Sequence, residues 1–261
     1  MTGNAIYMIR NGEFGTNFEL KLFLTALGLI ICFLDWHTQK RNDYFWVFLF
    51  GSFVWFLVEL GIQLNAVRVM PQHYLFGHPI PTWISALLRG TSEGGFIAMV
   101  GLLFGDRISQ KETRKRWLII FAITMVVAVV VTLQQGLAAK AIAGDVASRR
   151  NIFTFPAAAI MIGCIVFDAL WLWKTDSVSR RRGIYMVLVM IGFSAIWTTA
   201  EYIANTRWIE VGIAGGGFRQ ANPLLEFSVF TWDVVVEIAL LYLPFFAIPS
   251  LLKKWGRFWA I

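Results

Sequence analysis

The sequence predicts an all-α integral membrane protein: one bundle of seven transmembrane helices, with residues 1–261 forming a single transmembrane domain. Three observations carry that expectation. Of the 261 residues, 57% are apolar and only 15% charged, against about 25% charged in an ordinary soluble domain. The mean hydropathy is +0.63. The apolar residues gather into long runs separated by short polar connections. A soluble globule of this size has no way to hide so much apolar surface. A water-soluble enzyme, a disordered scaffold and a secreted disulfide module are therefore excluded.

Crossing about 30 Å of hydrocarbon takes about 20 mostly apolar residues. Seven runs meet that length: Phe18–Asp35, Tyr44–Val67, Trp83–Phe104, Trp117–Ala139, Ile152–Trp173, Ile184–Thr206 and Glu226–Leu252. They are continuous rather than alternating, which argues against a β-barrel. Cys32 and Cys164 both lie inside runs and read as small packing residues. The first ten residues carry one basic side chain, and no A-x-A-like site follows the first run, so no cleavable signal peptide is expected.

The net charge of +7 comes from short basic clusters between the runs. Such clusters set orientation against the cytoplasmic leaflet, so no nucleic-acid partner is expected. The first, third and fifth loops and the C-terminal tail carry 14 Lys and Arg; the opposite side, including Arg10, Arg150 and Arg207, carries 7. The N-terminus is therefore expected outside and the C-terminus in the cytoplasm. The membrane would be a bacterial inner membrane or the endoplasmic reticulum. The sixth loop holds Gly212, Gly215, Gly216 and Gly217 before Asn222-Pro223. It has no strand-then-helix phosphate motif and reads as a flexible lid or a turn.

Ionisable groups inside a bilayer are costly and mark functional candidates. Glu59, Arg89, Glu93, Asp168, Glu201, Asp233 and Glu237 all lie within the runs. At about 1.5 Å per residue, Glu59, Glu93, Glu201, Asp233 and Glu237 fall in one layer between the outer surface and the midplane. That layer implies a cavity facing outward. Trp55, Glu59 and Gln63 are spaced by four, as are Trp197, Glu201 and Asn205, so each triplet would share a helical face. Asp233 and Glu237 are also four apart, with Trp232 beside them.

Arg89 and Glu93, four apart, read as an ion pair within the third helix. Asp168 reads as a packing residue paired near Lys174, and Glu201 as a residue able to bond between helices. Glu59 and Asp233 have no cation within one turn of sequence. No metal or cofactor is expected. His37, His73 and His78 fall in loops or at span ends, and no D-D-x-x-D run exists to hold Mg²⁺ on a diphosphate.

A carboxyl kept from water can act as a general acid, and indole faces stabilise cations. Together they suit protonation of an isoprenoid alkene or epoxide, followed by ring closure through carbocations. At this point Glu59, in Val54-Trp-Phe-Leu-Val-Glu59, Asp233, in Phe230-Thr-Trp-Asp233, and the Asn-Pro-Leu at Asn222–Leu224 become informative. With the seven-span topology, the chain resembles the small membrane terpene cyclases of fungal meroterpenoid and indole-diterpene pathways and their bacterial relatives. It departs from their pattern in that Trp55 lies four residues before Glu59 instead of next to it, and in its long Gly-rich sixth loop. The resemblance implies a cofactor-free isomerase or lyase in terpenoid biosynthesis acting on a prenylated substrate that arrives through membrane lipid. It implies catalytic roles for Glu59 and Asp233. Glu201 and Glu237 are candidates to share them, and Trp55, Gln63, Glu93, Trp197, Asn205 and Trp232 are candidates to line the substrate. The alternative is a proton-coupled transporter or lipid-binding protein that uses the same acids. A retinal-type photoreceptor is excluded because no Lys occurs between Lys174 and Lys253.

Overall fold

The computed structural model describes residues 5–10, 17–65, 68–69, 72–141 and 148–255. Seven helices are long and apolar enough to cross a membrane. They are α1 (Glu19–Gln39), α2 (Asp43–Leu64), α3 (Thr82–Ser109), α4 (Lys111–Ala141), α5 (Phe155–Lys174), α6 (Ser177–Ile203) and α7 (Pro223–Leu252). Each corresponds to one expected run, with ends shifted by a few residues. Local chemistry sets several starts. Asp176, Asn222 and Thr154 cap α6, α7 and α5 by accepting from the backbone N–H of Ser179, Leu225 and Ala157. Pro223 and Pro156 occupy first-turn positions, where a missing N–H costs nothing.

Two helices are not regular. α3 passes through a π-helical stretch at Gly90–Phe96, and α7 through another at Asp233–Leu240. Glu93, Asp233 and Glu237 all sit in these stretches. Extra residues per turn are a common device for re-aiming side chains at functional sites. α7 also contains Pro244 and Pro249, which remove helical N–H donors from the carbonyls four residues earlier.

The structure is consistent with the expected all-α bundle, to which the loops at one end add short β-strands. Strands β1 (Ile6–Arg10), β2 (Arg68–Val69), β5 (Ser148–Asn151), β6 (Arg207–Gly212) and β7 (Phe218–Gln220) make an antiparallel sheet in the order β2-β5-β1-β6-β7. A separate hairpin joins β3 (His73–Leu75) to β4 (His78–Ile80). The Gly-rich sixth loop is thus the β6–β7 hairpin. Gly215, Gly216 and Gly217 take positive φ in its turn, a conformation only glycine adopts without strain. Met8, Ile152, Ile209, Val211 and Val229 form a core that seats the sheet on the bundle.

The main core lies in the other half, around Phe48, Met99, Leu102, Met186, Leu243 and Phe246. There Arg182 of α6 bonds Asp106 of α3 at 2.8 Å and Asp43 of α2 at 2.9 Å, and the Tyr44 hydroxyl donates to Asp106. α2 and α3 approach closely because glycine lines the contact. A Cβ at Gly90 would lie 2.7 Å from the Ser52 carbonyl oxygen, and one at Gly51 2.9 Å from that of Gly94. Gly90→Leu is expected to cost about 1–3 kcal/mol or more through overpacking, read as a lower melting temperature in detergent. Gly163→Ala, with nothing within 4 Å of the added carbon, is expected to be neutral or stabilising because alanine is the better helix former.

Candidate functional site

The five acids of the predicted layer are brought together at the strand-bearing end, beneath the sheet. Glu59, Glu201, Asp233 and Glu237 are each 6% exposed or less, and Glu93 is half-buried. Arginines of the sheet meet these acids from above, Arg207 at Glu201 and Asp233 and Arg150 at Glu237.

Strand geometry supplies the cations. Alternate residues of a strand share a face. In β6, Arg207 therefore points inward with Ile209 and Val211, and all three are buried. The register places Arg10 opposite Arg207, and Met8 opposite both Arg150 and Ile209. Directly paired residues lie on the same face of a sheet, so Arg10, Arg150 and Arg207 share the inner face. These residues read in sequence as loop charges that set orientation. The fold turns them onto the acids.

Two clusters result. In the first, Arg89 lies 3.5 Å from Glu59 and 3.1 Å from Glu93, and Lys21 of α1 lies 2.5 Å from Glu93. Gln63 donates to Glu59 at 3.0 Å, and the Tyr242 hydroxyl donates to the Glu93 carbonyl at 2.5 Å. The expected Arg89–Glu93 pair is present, and the cation that Glu59 lacks in sequence is Arg89, one helix away. In the second cluster, Arg207 reaches Glu201 at 2.7 Å through one terminal nitrogen and Asp233 at 2.8 Å through the other. Arg150 pairs with Glu237. Arg10 touches neither cluster but acts electrostatically on Glu93, Asp233 and Glu237 alike. Burial alone pushes the Arg207 pKa down, but Asp233 and Glu201 outweigh it and hold the guanidinium above its ordinary range. Burial and Glu237 act on Arg150 in the same opposed way, with the same outcome. Both arginines stay charged.

Direct contacts in the second cluster set three carboxylates against two guanidiniums. Unsatisfied polar atoms also collect there. Oε1 of Glu237, Nε of Arg207, the Tyr202 hydroxyl and the Trp232 indole N–H are buried without a hydrogen-bond partner, while Oδ2 of Asp233 is the atom 2.8 Å from Arg207. Buried polar groups are nearly always bonded, to protein or to ordered water. Aromatic rings flank the group. Trp232 packs on Phe153 with centroids 5.7 Å apart, and Tyr202 on Phe230 at 5.9 Å.

The other expected lining residues divide. Trp55 packs on Tyr242 at 5.6 Å, one turn of α2 before Glu59, so it belongs to the first cluster with Gln63. Trp197 stacks on Phe193 of its own helix at 5.8 Å. The Trp197–Glu201–Asn205 face is corrected. α6 ends at Ile203, and Asn205 is an exposed residue with φ 55°, in the turn that redirects the chain into β6. The expected Asp168–Lys174 pair does not form: the Lys174 ammonium sits over the Trp173 ring, and both Asp168 oxygens are bare. No group of three or more potential metal ligands occurs among the described residues.

At the opposite end a cavity of about 490 Å³ opens between α2, α6 and α7, lined by Asp43, Trp46, Phe50, Arg182, Phe246 and Leu252 among others. Comparison with known proteins finds no matching family, no matching curated protein and no matching solved structure.

Proposed function

We propose that the chain is a membrane-embedded, cofactor-free cyclase. In this reading the Asp233–Glu237 pair exchanges protons with an isoprenoid-type substrate delivered from the lipid of an inner or endoplasmic-reticulum membrane. The observation that carries the reading is the group of buried, unbonded polar atoms around three carboxylates that, among the described residues, touch two guanidiniums. One proton on Asp233 or Glu237 balances those direct contacts. Its transfer to a substrate double bond forms a C–H bond from the π pair and leaves a carbocation. The next double bond closes the ring, and loss of a proton to the neighbouring carboxylate restores the pair. The substrate is isomerised and no proton is consumed. Tyr202, Phe230, Trp232 and Phe153 offer ring faces to the cation, while Arg150 and Arg207 hold the carboxyls in place.

The test is mass spectrometry of membranes containing the chain after feeding prenylated compounds and their epoxides. An isomer of unchanged mass and shifted retention is expected. Unaltered recovery of every isoprenoid offered would overturn the proposal.

A second reading, a proton-coupled transporter or lipid-binding protein, is favoured by the cavity at the opposite end, where Asp43 and Arg182 stand in a mostly apolar lining. Reconstituted vesicles separate the two: a transporter moves label across the bilayer without converting it, and a cyclase converts it.

A further inference from the structure

We propose that Asp168 is a proton-binding site: a carboxyl carried neutral in the interface between α5 and α7, in the half of the bundle away from the acidic layer. The inference stands apart from the cyclase reading, because Asp168 belongs to neither charge cluster. It lies about 9 Å from the Lys174 end of α5 by the helical rise. It is 2% exposed, and neither carboxyl oxygen has a hydrogen-bond partner.

Among the described residues, the cations of α5 and α6 on this side are committed elsewhere. Lys174 sits over Trp173. Arg180 donates to the carbonyls of Leu172, Trp173 and Thr175. Arg182 is held by Asp43 and Asp106. On α7, the helix against which α5 packs, Glu237 is bound to Arg150 and the Tyr242 hydroxyl to the Glu93 carbonyl. Among the described residues, the titratable neighbour that feels Asp168 is the Cys164 thiol one turn earlier. A lone carboxylate in such a place would carry an uncompensated desolvation cost, which a bound proton removes.

The position of Asp168 along α7 follows from the packing of the two helices. Trp171 of α5 packs on Phe246 of α7 at 5.6 Å. The two helices descend in the same direction, so Asp168, three residues before Trp171, is level with about Leu243 and Pro244. Pro244 takes away the helical donor of the Leu240 carbonyl, where the π-helical stretch of α7 ends. A neutral Asp168 is thus carried at the level where α7 leaves its π-helical stretch.

The experiment uses the full chain reconstituted in phosphatidylcholine vesicles at neutral pH. The infrared difference between the native protein and Asp168→Asn should show loss of a protonated-carboxyl C=O stretch. Loss of carboxylate bands instead would overturn the proposal. A second measurement needs no variant. Dicyclohexylcarbodiimide, which dissolves in lipid, takes up the carboxyl proton as the carboxylate oxygen adds to its central carbon. The O-acylisourea then rearranges to an N-acylurea, so the whole reagent is retained and nothing leaves. Peptide mapping should find that adduct on Asp168. An Asp168 peptide left unmodified would equally overturn the assignment.

Discussion

Arg207→Met is expected to destabilise the folded protein by about 3–5 kcal/mol, the usual cost of removing one partner from a buried ion pair. The side chain is 1% exposed and holds two carboxylates from different helices, Glu201 of α6 and Asp233 of α7. Removing it leaves both buried without direct compensation and unpins β6 from the bundle. Arg207→Lys is expected to recover little, because a compact ammonium lacks the planar fork that serves two carboxylates at once. Arg207→Met combined with Glu201→Gln and Asp233→Asn should recover most of the loss, since a buried ion network replaced as a whole by neutral groups is often close to neutral in stability. Thermal unfolding in detergent, followed by tryptophan fluorescence, reads all three. A single Arg207→Met variant within about 1 kcal/mol of the native protein would show that the two acids do not depend on this guanidinium.

The triple-variant comparison also shows which part of the site was legible in sequence. The acids were, because a carboxylate in an apolar run is conspicuous against the cost of placing it there. Their partners were not. Arg10, Arg150 and Arg207 sit in connections only a few residues from a span, where a basic residue ordinarily faces water or lipid head groups. What turns them inward is the pairing of β1 with β5 and β6, between residues some 140 to 200 positions apart. Strands of four to six residues such as β5 and β6 give too short a pattern to announce that pairing. The seven helices were legible for the opposite reason. Each run of about 20 apolar residues carries its own signal, independent of what it packs against.

The same locality explains where helical spacing misled. Trp197, Glu201 and Asn205 share a face only if the helix continues, and α6 stops at Ile203 so that the chain can turn into β6. Asp233 and Glu237 share a face in an ordinary helix, but the π-helical stretch at Asp233–Leu240 alters their angle, and they take different arginines. Asp168 misled in the other sense. Lys174 six residues on suggested a partner, but the lysine side chain extends along the Trp173 ring at the helix end, and the carboxyl faces the interior.

Under the proposed cyclase reading, Asp233→Asn is expected to lower product formation by about 10²–10⁴-fold, the range a positioned general acid or base contributes, while the chain still folds. The second outcome separates this variant from Arg207→Met. Asparagine keeps the shape of aspartate and leaves Arg207 bound to Glu201, so the guanidinium remains compensated. Glu237→Gln tests the same pair from the other side, but it strips Arg150 of its direct carboxylate partner, so its melting temperature should fall further than that of Asp233→Asn. Glu59→Gln is the informative third case. The resemblance read from the sequence would give Glu59 a share of the protonation chemistry, whereas its contacts with Arg89 and Gln63 make it a member of the first cluster, away from the unbonded atoms of the second. If conversion survives in Glu59→Gln and is lost in Asp233→Asn at equal folded fraction, the chemistry lies in the α7 pair and the first cluster is scaffolding. If conversion falls only in step with the melting temperature across all three variants, the carboxylates act as structural counter-ions to the arginines of the sheet, and the transporter reading gains the ground that the cyclase loses.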